Sequence, residues 1–318
     1  MLKNFVDCKK NFPKVSIVIT TKNEERNISR CLDSVIAQTW PEIEIIVVDN
    51  SSDDQTVAIC QKYGVSIFTY GPERSAQRNY GLLEVATGFY SIYLDADMIL
   101  SQTLIEECVY KMRSSEIIAL HIPEVVLGTN FFSRARSFER SFYDGTVIDG
   151  ARFFRRDVLI RCGGFDADLF AKGSGEDWDI DKKIKLIGCI GLLNSYSTKQ
   201  LPQNWSLAQY IDSNLLNVNH QFVGIYHDES KFDLDHYLKK KKYYGLGFSG
   251  YIKKWGKNDP DIIKQFGLSY RYIFVFIENG KWRKIISNPL LTLGMYYLRV
   301  LVGYSYVKSK FMERMRNE

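Results

Sequence analysis

The 318-residue sequence predicts an α/β fold: a mostly parallel central sheet flanked by helices, followed by a mainly helical C-terminal region rich in basic and aromatic residues. Three observations predict it. Short apolar runs alternate with amphipathic stretches through the first hundred residues, the rhythm of βαβ units. The run at 43–49 is nearly all apolar, as a strand covered by helices on both faces must be. The charge is divided as well. The net +5 separates into −6 over residues 1–230 and +11 over residues 231–318, and 18 of the 44 aromatic residues fall in the second part.

Each element has its own signal. Val15–Thr20 reads as a strand. Asn23 is a helix N-cap candidate, with Glu24 and Glu25 in the first turn of a helix running to about Gln38. Ile28, Cys31, Leu32, Val35 and Ile36 follow helical spacing. Pro41 breaks the chain before a second strand, Ile43–Asp49. Ser51–Asp54 is a loop and cap cluster, followed by a helix to Tyr63. A strand at Val65–Thr69, a helix at Ser75–Ala86, a strand at Tyr90–Asp95 and a helix after Ser101 continue the alternation. Beyond Ser114 the pattern loosens. Thr146–Phe154 and Ile190–Leu193 read as strands. Asp179–Ile187 reads as a helix after the glycine-rich Gly173-Ser174-Gly175. Asp235–Tyr244, Asp261–Phe266 and Asn288–Lys310 read as helices.

Composition excludes several classes. With 45% hydrophobic and 25% charged residues the chain is not disordered, and 7 Pro with 22 Gly exclude collagen-like or low-complexity architectures. The six cysteines (Cys8, Cys31, Cys60, Cys108, Cys162 and Cys189) show no C-x-x-C or zinc-finger spacing, as expected of idle thiols in a reducing compartment. Met1–Lys14 has no apolar stretch of the secretory kind. The uncharged run Ile285–Leu298 is too short to span a bilayer. There is no G-x-G-x-x-G and no Walker motif, which argues against a dinucleotide oxidoreductase or a P-loop NTPase.

In parallel sheets ligands gather beyond the carboxyl ends of the strands. Glu24, Asp49 and the pair Asp95/Asp97 fall at such ends. Two carboxylates in Leu94-Asp95-Ala96-Asp97 suit Mg²⁺ or Mn²⁺ with a diphosphate ligand, or else a solvated pair capping the next helix. Glu176 and Asp177 open a helix, whose N-terminus keeps carboxylates ionised; plain capping is the alternative.

Six segments in order carry a resemblance: Val15–Glu24, Ile45–Asp53, Arg74-Ser75-Ala76-Gln77-Arg78-Asn79, Leu94–Asp97, Gly163-Gly164-Phe165-Asp166 and Gly175-Glu176-Asp177-Trp178-Asp179. The set resembles the family 2 inverting glycosyltransferases of the Rossmann-like GT-A fold, over about residues 14–230. The resemblance implies that Asp97 holds the metal bridging a donor diphosphate, and that Asp95 touches the ribose or shares the metal. It implies that Asp49 meets the nucleobase, that Thr20, Thr21 and Glu24 line the base and ribose pocket, and that Arg78 lies against the base or diphosphate unless it is a surface helix arginine. Asp177 is the expected catalytic base, with Glu176 second, since an acceptor hydroxyl must lose its proton. Trp178 stacks on a sugar or belongs to the core. His227 is a third metal ligand, a diphosphate contact or a core histidine.

The expected activity is therefore metal-dependent, Mn²⁺ or Mg²⁺, inverting transfer from a nucleoside diphosphate sugar, a UDP-sugar first. The expected acceptor is a lipid-linked glycan hydroxyl in cell-surface polysaccharide or glycoprotein glycan assembly. A polyprenyl-phosphate sugar synthase and a non-catalytic sugar-nucleotide or glycan-binding protein are the alternatives. Residues 1–230 form the expected catalytic domain and 231–318 a membrane-associated helical region. Lys239–Lys242 with Tyr243-Tyr244-Gly245 resembles the region following the catalytic domain in enzymes of lipid-linked glycans. Leu290–Val307, apolar and followed by Lys308, Lys310, Arg314 and Arg316, suits an interfacial helix on an anionic membrane surface. That places the chain on the cytoplasmic face of the cell membrane, with nucleic acid not expected as a partner.

Overall fold

All seven residues of the first strand, Val15–Thr21 (β1), are buried, as a strand in the middle of a doubly covered sheet requires. The computed structural model describes residues 12–128, 130–172, 174–194, 222–229 and 232–317, with side chains to residue 305. After β1 come α1 (Ile28–Ile36), β2 (Ile43–Asp49), α2 (Thr56–Lys62), β3 (Ser66–Thr69), α3 (Arg74–Asn79), β4 (Tyr90–Asp95), β5 (Met98–Leu100) and α4 (Leu104–Arg113). They are followed by β6 (Ile117–His121), β7 (Glu124–Leu127), α5 (Phe131–Arg140), β8 (Ala151–Arg155), α6 (Arg156–Arg161), α7 (Glu176–Lys185), β9 (Cys189–Leu192) and β10 (Ile225–Asp228). The C-terminal region holds α8 (Leu234–Tyr244), α9 (Phe248–Trp255), α10 (Pro260–Phe266), α11 (Val275–Ile277), α12 (Trp282–Ser287) and α13 (Pro289–Asn317).

The main sheet runs β3-β2-β1-β4-β8-β6-β9. Its pairings are parallel except where β8 lies antiparallel between β4 and β6. A small sheet, β5-β10-β7, stands beside it. Alternation along β1 sends Ile17 and Ile19 into one core with Leu32 and Leu94, and Val18 into the other with Val48, Tyr93 and Ile180. Each such buried side chain contributes about 1.5–3 kcal/mol. After α3 the helix widens into a π-type turn, Tyr80–Val85, against the sheet. A Cβ on Gly81 would stand 2.4 Å from Val18 Cγ1, so only glycine allows this approach.

Two expectations are corrected. Asn23 is not the cap of the first helix, which starts five residues later at Ile28. Asn23 takes a left-handed conformation, φ 57°, which asparagine tolerates. Its amide nitrogen donates to Ser52 Oγ (2.8 Å), and its side-chain oxygen accepts from Asp53 N (3.0 Å). The segment is thus a turn stitched to the loop after β2. The strand expected at Thr146–Phe154 is formed only from Ala151. The residues before it form a turn held by buried Asp149, which accepts from Gly145 N (2.9 Å) and from Arg140 (2.9 Å).

The C-terminal helices pack back on the body. Met295 and Leu298 of α13 are fully buried, and Arg299 Nη1 reaches Glu139 Oε1 of α5 at 2.6 Å. Among the described residues no helix is long and apolar enough to cross a membrane. The five described cysteines are free, three of them buried. Cys8, Gly173 and the side chains of Val307, Lys308, Lys310, Arg314 and Arg316 lie outside the described set.

Candidate active site

Strand register assembles the first row of the site. In the β1–β2 pairing Thr21 lies opposite Asp49, and in the β1–β4 pairing Thr20 lies opposite Asp95. Four candidate residues from three strands therefore stand side by side at the carboxyl edge of the sheet. Asp49 is buried and well bonded. Its Oδ1 accepts from Thr21 Oγ1 (2.7 Å) and Ser52 Oγ (2.6 Å), and its Oδ2 from Ser52 N (2.7 Å). Gln77, unremarked in the sequence, is buried and donates to the carbonyls of Thr21 (3.0 Å) and Val48 (2.7 Å), tying the ends of β1 and β2 together.

Glu24 sits on the turn after β1. Its carboxylate accepts from Asn27 Nδ2 at 2.8 Å. Burial, and then the charges of Asp97, Asp95 and Asp54, raise its pKa against that bond. Glu24 therefore shares an acidic crevice with Asp95 and Asp97.

The small sheet completes this corner. In the pairing of β10 with β5, His227 lies opposite Met98, and its Nε2 comes 2.8 Å from Asp97 Oδ2. Burial lowers the His227 pKa, but Asp97 beside it outweighs this and lifts it to about 9. Asp97 Oδ1 is buried with no hydrogen-bond partner among the described residues. A buried carboxylate oxygen without a partner is costly, and a hard divalent cation is the chemistry that satisfies it. Among the described residues no group of three or more His, Cys, Asp or Glu is arranged to hold a metal. Asp97 and His227 come together, whereas Asp95 is held elsewhere. The expected three-residue ligand set is accordingly not assembled by protein atoms alone.

What holds Asp95 is Arg78. The alternative of a surface arginine does not hold, for Arg78 is 1% exposed. Its Nη2 pairs with Asp95 Oδ1 (3.0 Å), and its Nη1 lies 3.2 Å from Asp177 Oδ1 and 3.5 Å from Glu176 Oε1. The guanidinium lies over the Tyr93 ring at 4.2 Å, a cation–π contact strengthened by desolvation. Burial pushes the Asp95 pKa up, but Arg78, then Arg152 and Arg74, hold it far below the usual carboxylate range.

Glu176 and Asp177 occupy the first turn of α7, and their surroundings divide them. Glu176 is buried and paired with Arg74 at 2.6 Å. Burial and Asp177 raise its pKa against Arg74 and Arg78. The Asp177 side chain is 34% exposed. Among the described residues the hydrogen bonds to it, from Arg78 (3.2 Å) and Tyr93 Oη (2.9 Å), both fall on Oδ1, and Oδ2 is the oxygen left for a substrate. Trp178 belongs to the core: its Nε1 donates to Ile148 O, and its ring packs on Phe248 and Phe266.

Two framing contacts explain motif residues without catalytic chemistry. Asn79 pairs both ways with the Phe165 backbone at 2.8 Å, and Gly164 has φ +62° with no room for a Cβ beside Asn79. Tyr243 of α8 donates to Glu73 (3.0 Å), and Arg74 lies 5.8 Å over the Tyr244 ring. The C-terminal region thus borders the crevice. Arg74, Gln77, Tyr93 and Arg152 were missed from sequence. Arg74 and Gln77 lie inside a quoted motif and were the findable ones; Tyr93 and Arg152 read as ordinary strand residues.

The model of Glycosyl transferase family 2 matches residues 16–167. An uncharacterized glycosyltransferase of Escherichia coli (strain K12), YibD, is 33% identical over 99 residues, 29% of this chain and 28% of YibD. The chain thus spans under a third of the length of the first curated relatives it matches. Among solved structures, the mannosyltransferase PcManGT from Pyrobaculum calidifontis, in complex with GDP-Man and Mn²⁺, superposes with a TM-score of 0.56 at 16% identity, covering 95% of this chain and 81% of that one. S. aureus TarS 1–349 in complex with UDP gives 0.53 at 16% identity, covering 95% and 91%. At these identities the structures establish a shared GT-A fold.

Proposed function

Since residues 16–167 place the chain in glycosyl transferase family 2, we propose that it transfers a sugar from a nucleoside diphosphate sugar to a hydroxyl acceptor with inversion. The observation that carries this reading is the Arg78 hub, which joins the carboxylate Asp95 at the strand end to the half-buried carboxylate Asp177 of α7 across one guanidinium. A donor-binding corner and a base on its far side are what an in-line displacement needs.

In this reading Asp177 Oδ2 takes the acceptor proton while Arg78 and Tyr93 fix Oδ1. Glu176, neutralised by Arg74, supports rather than competes. Thr20, Thr21, Glu24 and Asp49 line the nucleoside pocket. Arg78, its guanidinium committed to carboxylates, orders the site from beneath and reaches the donor through Asp95. Asp97 and His227 would hold a Mn²⁺ or Mg²⁺ ion, while Asp95 stays on Arg78. When bound, that metal neutralises charge on the departing diphosphate. Such ions are commonly held by one or two carboxylates plus substrate phosphates, in keeping with the unpartnered Asp97 Oδ1.

The donor is a UDP-sugar first, a reading supported by the UDP complex of a protein of the same fold. The acceptor is a glycan hydroxyl, lipid-linked, in cell-surface glycan assembly at the cytoplasmic membrane face. Residues 1–230 supply the chemistry and 231–318 the attachment. The test is Asp177→Asn, assayed for sugar transfer and for thermal midpoint. Loss of the base costs about 10²–10⁴-fold in rate, whereas the midpoint should fall far less than on loss of Arg78, because the asparagine amide keeps an acceptor for Arg78 and Tyr93 and because Asp95 and Glu176 still face the guanidinium. Near-full transfer would instead indicate an acceptor already ionised, such as a polyprenyl phosphate.

A further inference from the structure

Helix α13 has two unlike sides. Met295, Leu298 and Arg299 face the body and are buried, whereas Ile286 of α12 and Leu290, Leu293, Tyr297, Val300 and Tyr304 of α13 are 52–70% exposed. The five on α13 recur at intervals of three and four residues, one stripe along that helix, and Ile286 stands before its start. The orientation is locked from beneath. Arg299 Nη1 lies 2.6 Å from both Glu139 Oε1 and Tyr143 Oη, and Arg136 holds the other Glu139 oxygen at 3.0 Å. With this buried network on its inner side, α13 presents its apolar stripe outward as a fixed feature.

The apolar surface is wider than the helix. Phe131 of α5, Ile273 and Phe274 before α11, and Trp282 of α12 are 45–53% exposed. Phe131 abuts α13 at Gly294. On the other flank Tyr272 meets α13 through Tyr296 Oη (2.8 Å) and the Arg299 carbonyl (3.2 Å). Monomeric proteins rarely expose so extended an apolar patch without a partner. The sequence of this region is one-sided in charge: residues 268–317 hold nine Lys and Arg against two Glu, a net +7. Among the described residues Arg283 and Lys284 are exposed at the patch.

We propose that this face, rather than α13 alone, docks on an anionic phospholipid bilayer, with α13 lying in the interfacial plane. The inference rests on the reading of the chain as a transferase with a lipid-linked acceptor and names the surface that brings it there. The four-and-three spacing is also the seam of a helix pair. A second copy, however, would set +7 against +7, and its helix would leave the flanking aromatics uncovered. A bilayer matches both the width and the charge, and places Trp282, Tyr297 and Tyr304 at the depth amphipathic rings favour.

The experiment is co-sedimentation of the full chain with vesicles of 30% phosphatidylglycerol in phosphatidylcholine, and with pure phosphatidylcholine, at low and high salt. Light scattering and a thermal midpoint are recorded for the wild type and for Leu290→Glu/Leu293→Glu. The expected result is binding to the anionic vesicles that weakens with salt and falls about tenfold or more in the double variant, with both proteins monomeric and equally stable. Failure to bind anionic vesicles, or binding the double variant does not weaken, overturns the proposal. So does a dimer that the double variant splits, which would make a second copy the occupant. If the double variant unfolds, Val300→Ser/Tyr304→Ser, which removes apolar area without adding charge, takes its place under the same criteria. Hydrolysis of the donor without vesicles is followed in parallel. If it proceeds while docking fails, the transferase reading stands and only the docking surface is lost.

Discussion

Arg78 and its carboxylates show how single residues organise this site. Its guanidinium faces Asp95, Glu176 and Asp177 at 3.0–3.5 Å from a fully buried position. A buried charge is costly unless paired, and removing one partner of such a group typically costs about 3–5 kcal/mol. Arg78→Gln is therefore expected to destabilise the fold by about that amount in urea unfolding and to abolish transfer. Arg78→Lys keeps the charge but not the fork that spans two carboxylates, so it should recover stability more than activity. A second buried carboxyl gives a pH prediction. Burial, and then Asp149, raise the Asp144 pKa to about 7, with Arg140 and Lys284 opposing, and its Oδ1 has no hydrogen-bond partner. An acid whose folded pKa is raised costs nothing below its unfolded pKa, about 3.9. Its cost grows as pH rises from there and is complete above about 7. Asp144→Asn should thus leave stability unchanged near pH 4 and raise it by up to about 4 kcal/mol at pH 8. An equal effect at both pH values would refute this.

At the scale of elements, α7 is the part that must be placed well, because it carries both acidic residues of the proposed base pair. It is pinned to the sheet by Asp181, whose Oδ2 lies 2.6 Å from His121 Nε2 on β6 and whose Oδ1 accepts from Ala151 N on β8 at 2.9 Å. His121→Ala is expected to cost about 1–3 kcal/mol and to lower kcat more than KM, since the base shifts while the donor pocket does not. A KM-only effect would show that this anchor does not position Asp177. The sequence foretold the first sheet well. The strands around β1 are continuous apolar runs, and their ends are where Asp49 and Asp95 stand. It foretold less beyond Asp95, where β5, β7 and β10 are three or four residues each. Strands that short carry too little periodicity to read. The meeting of His227 with Asp97 depends on a pairing between residues some 130 positions apart, which no local pattern encodes. Asn23 misled for the opposite reason: the residue types that cap helices also favour tight turns, and the contacts to Ser52 and Asp53 decide between them.

For the whole molecule, the division of charge found in the sequence follows the architecture. The body carries the acidic crevice of Glu24, Asp95, Asp97 and Asp177. The basic region carries α8, which borders that crevice through Tyr243 and Tyr244, and the outward apolar stripe of α13. The central claim is that the crevice binds a nucleoside diphosphate sugar through a metal at Asp97. The most direct measurement is thermal unfolding with UDP-, GDP- and dTDP-sugars, each with and without Mn²⁺, on the wild type and Asp97→Asn. At a hundredfold excess over Kd a bound donor contributes about 2.7 kcal/mol, a rise of roughly 2–5 °C for a chain of this size. The rise is expected for one nucleotide class, only with Mn²⁺, and is expected to be lost in Asp97→Asn. No rise with any donor and metal, or the same rise in Asp97→Asn, would contradict it.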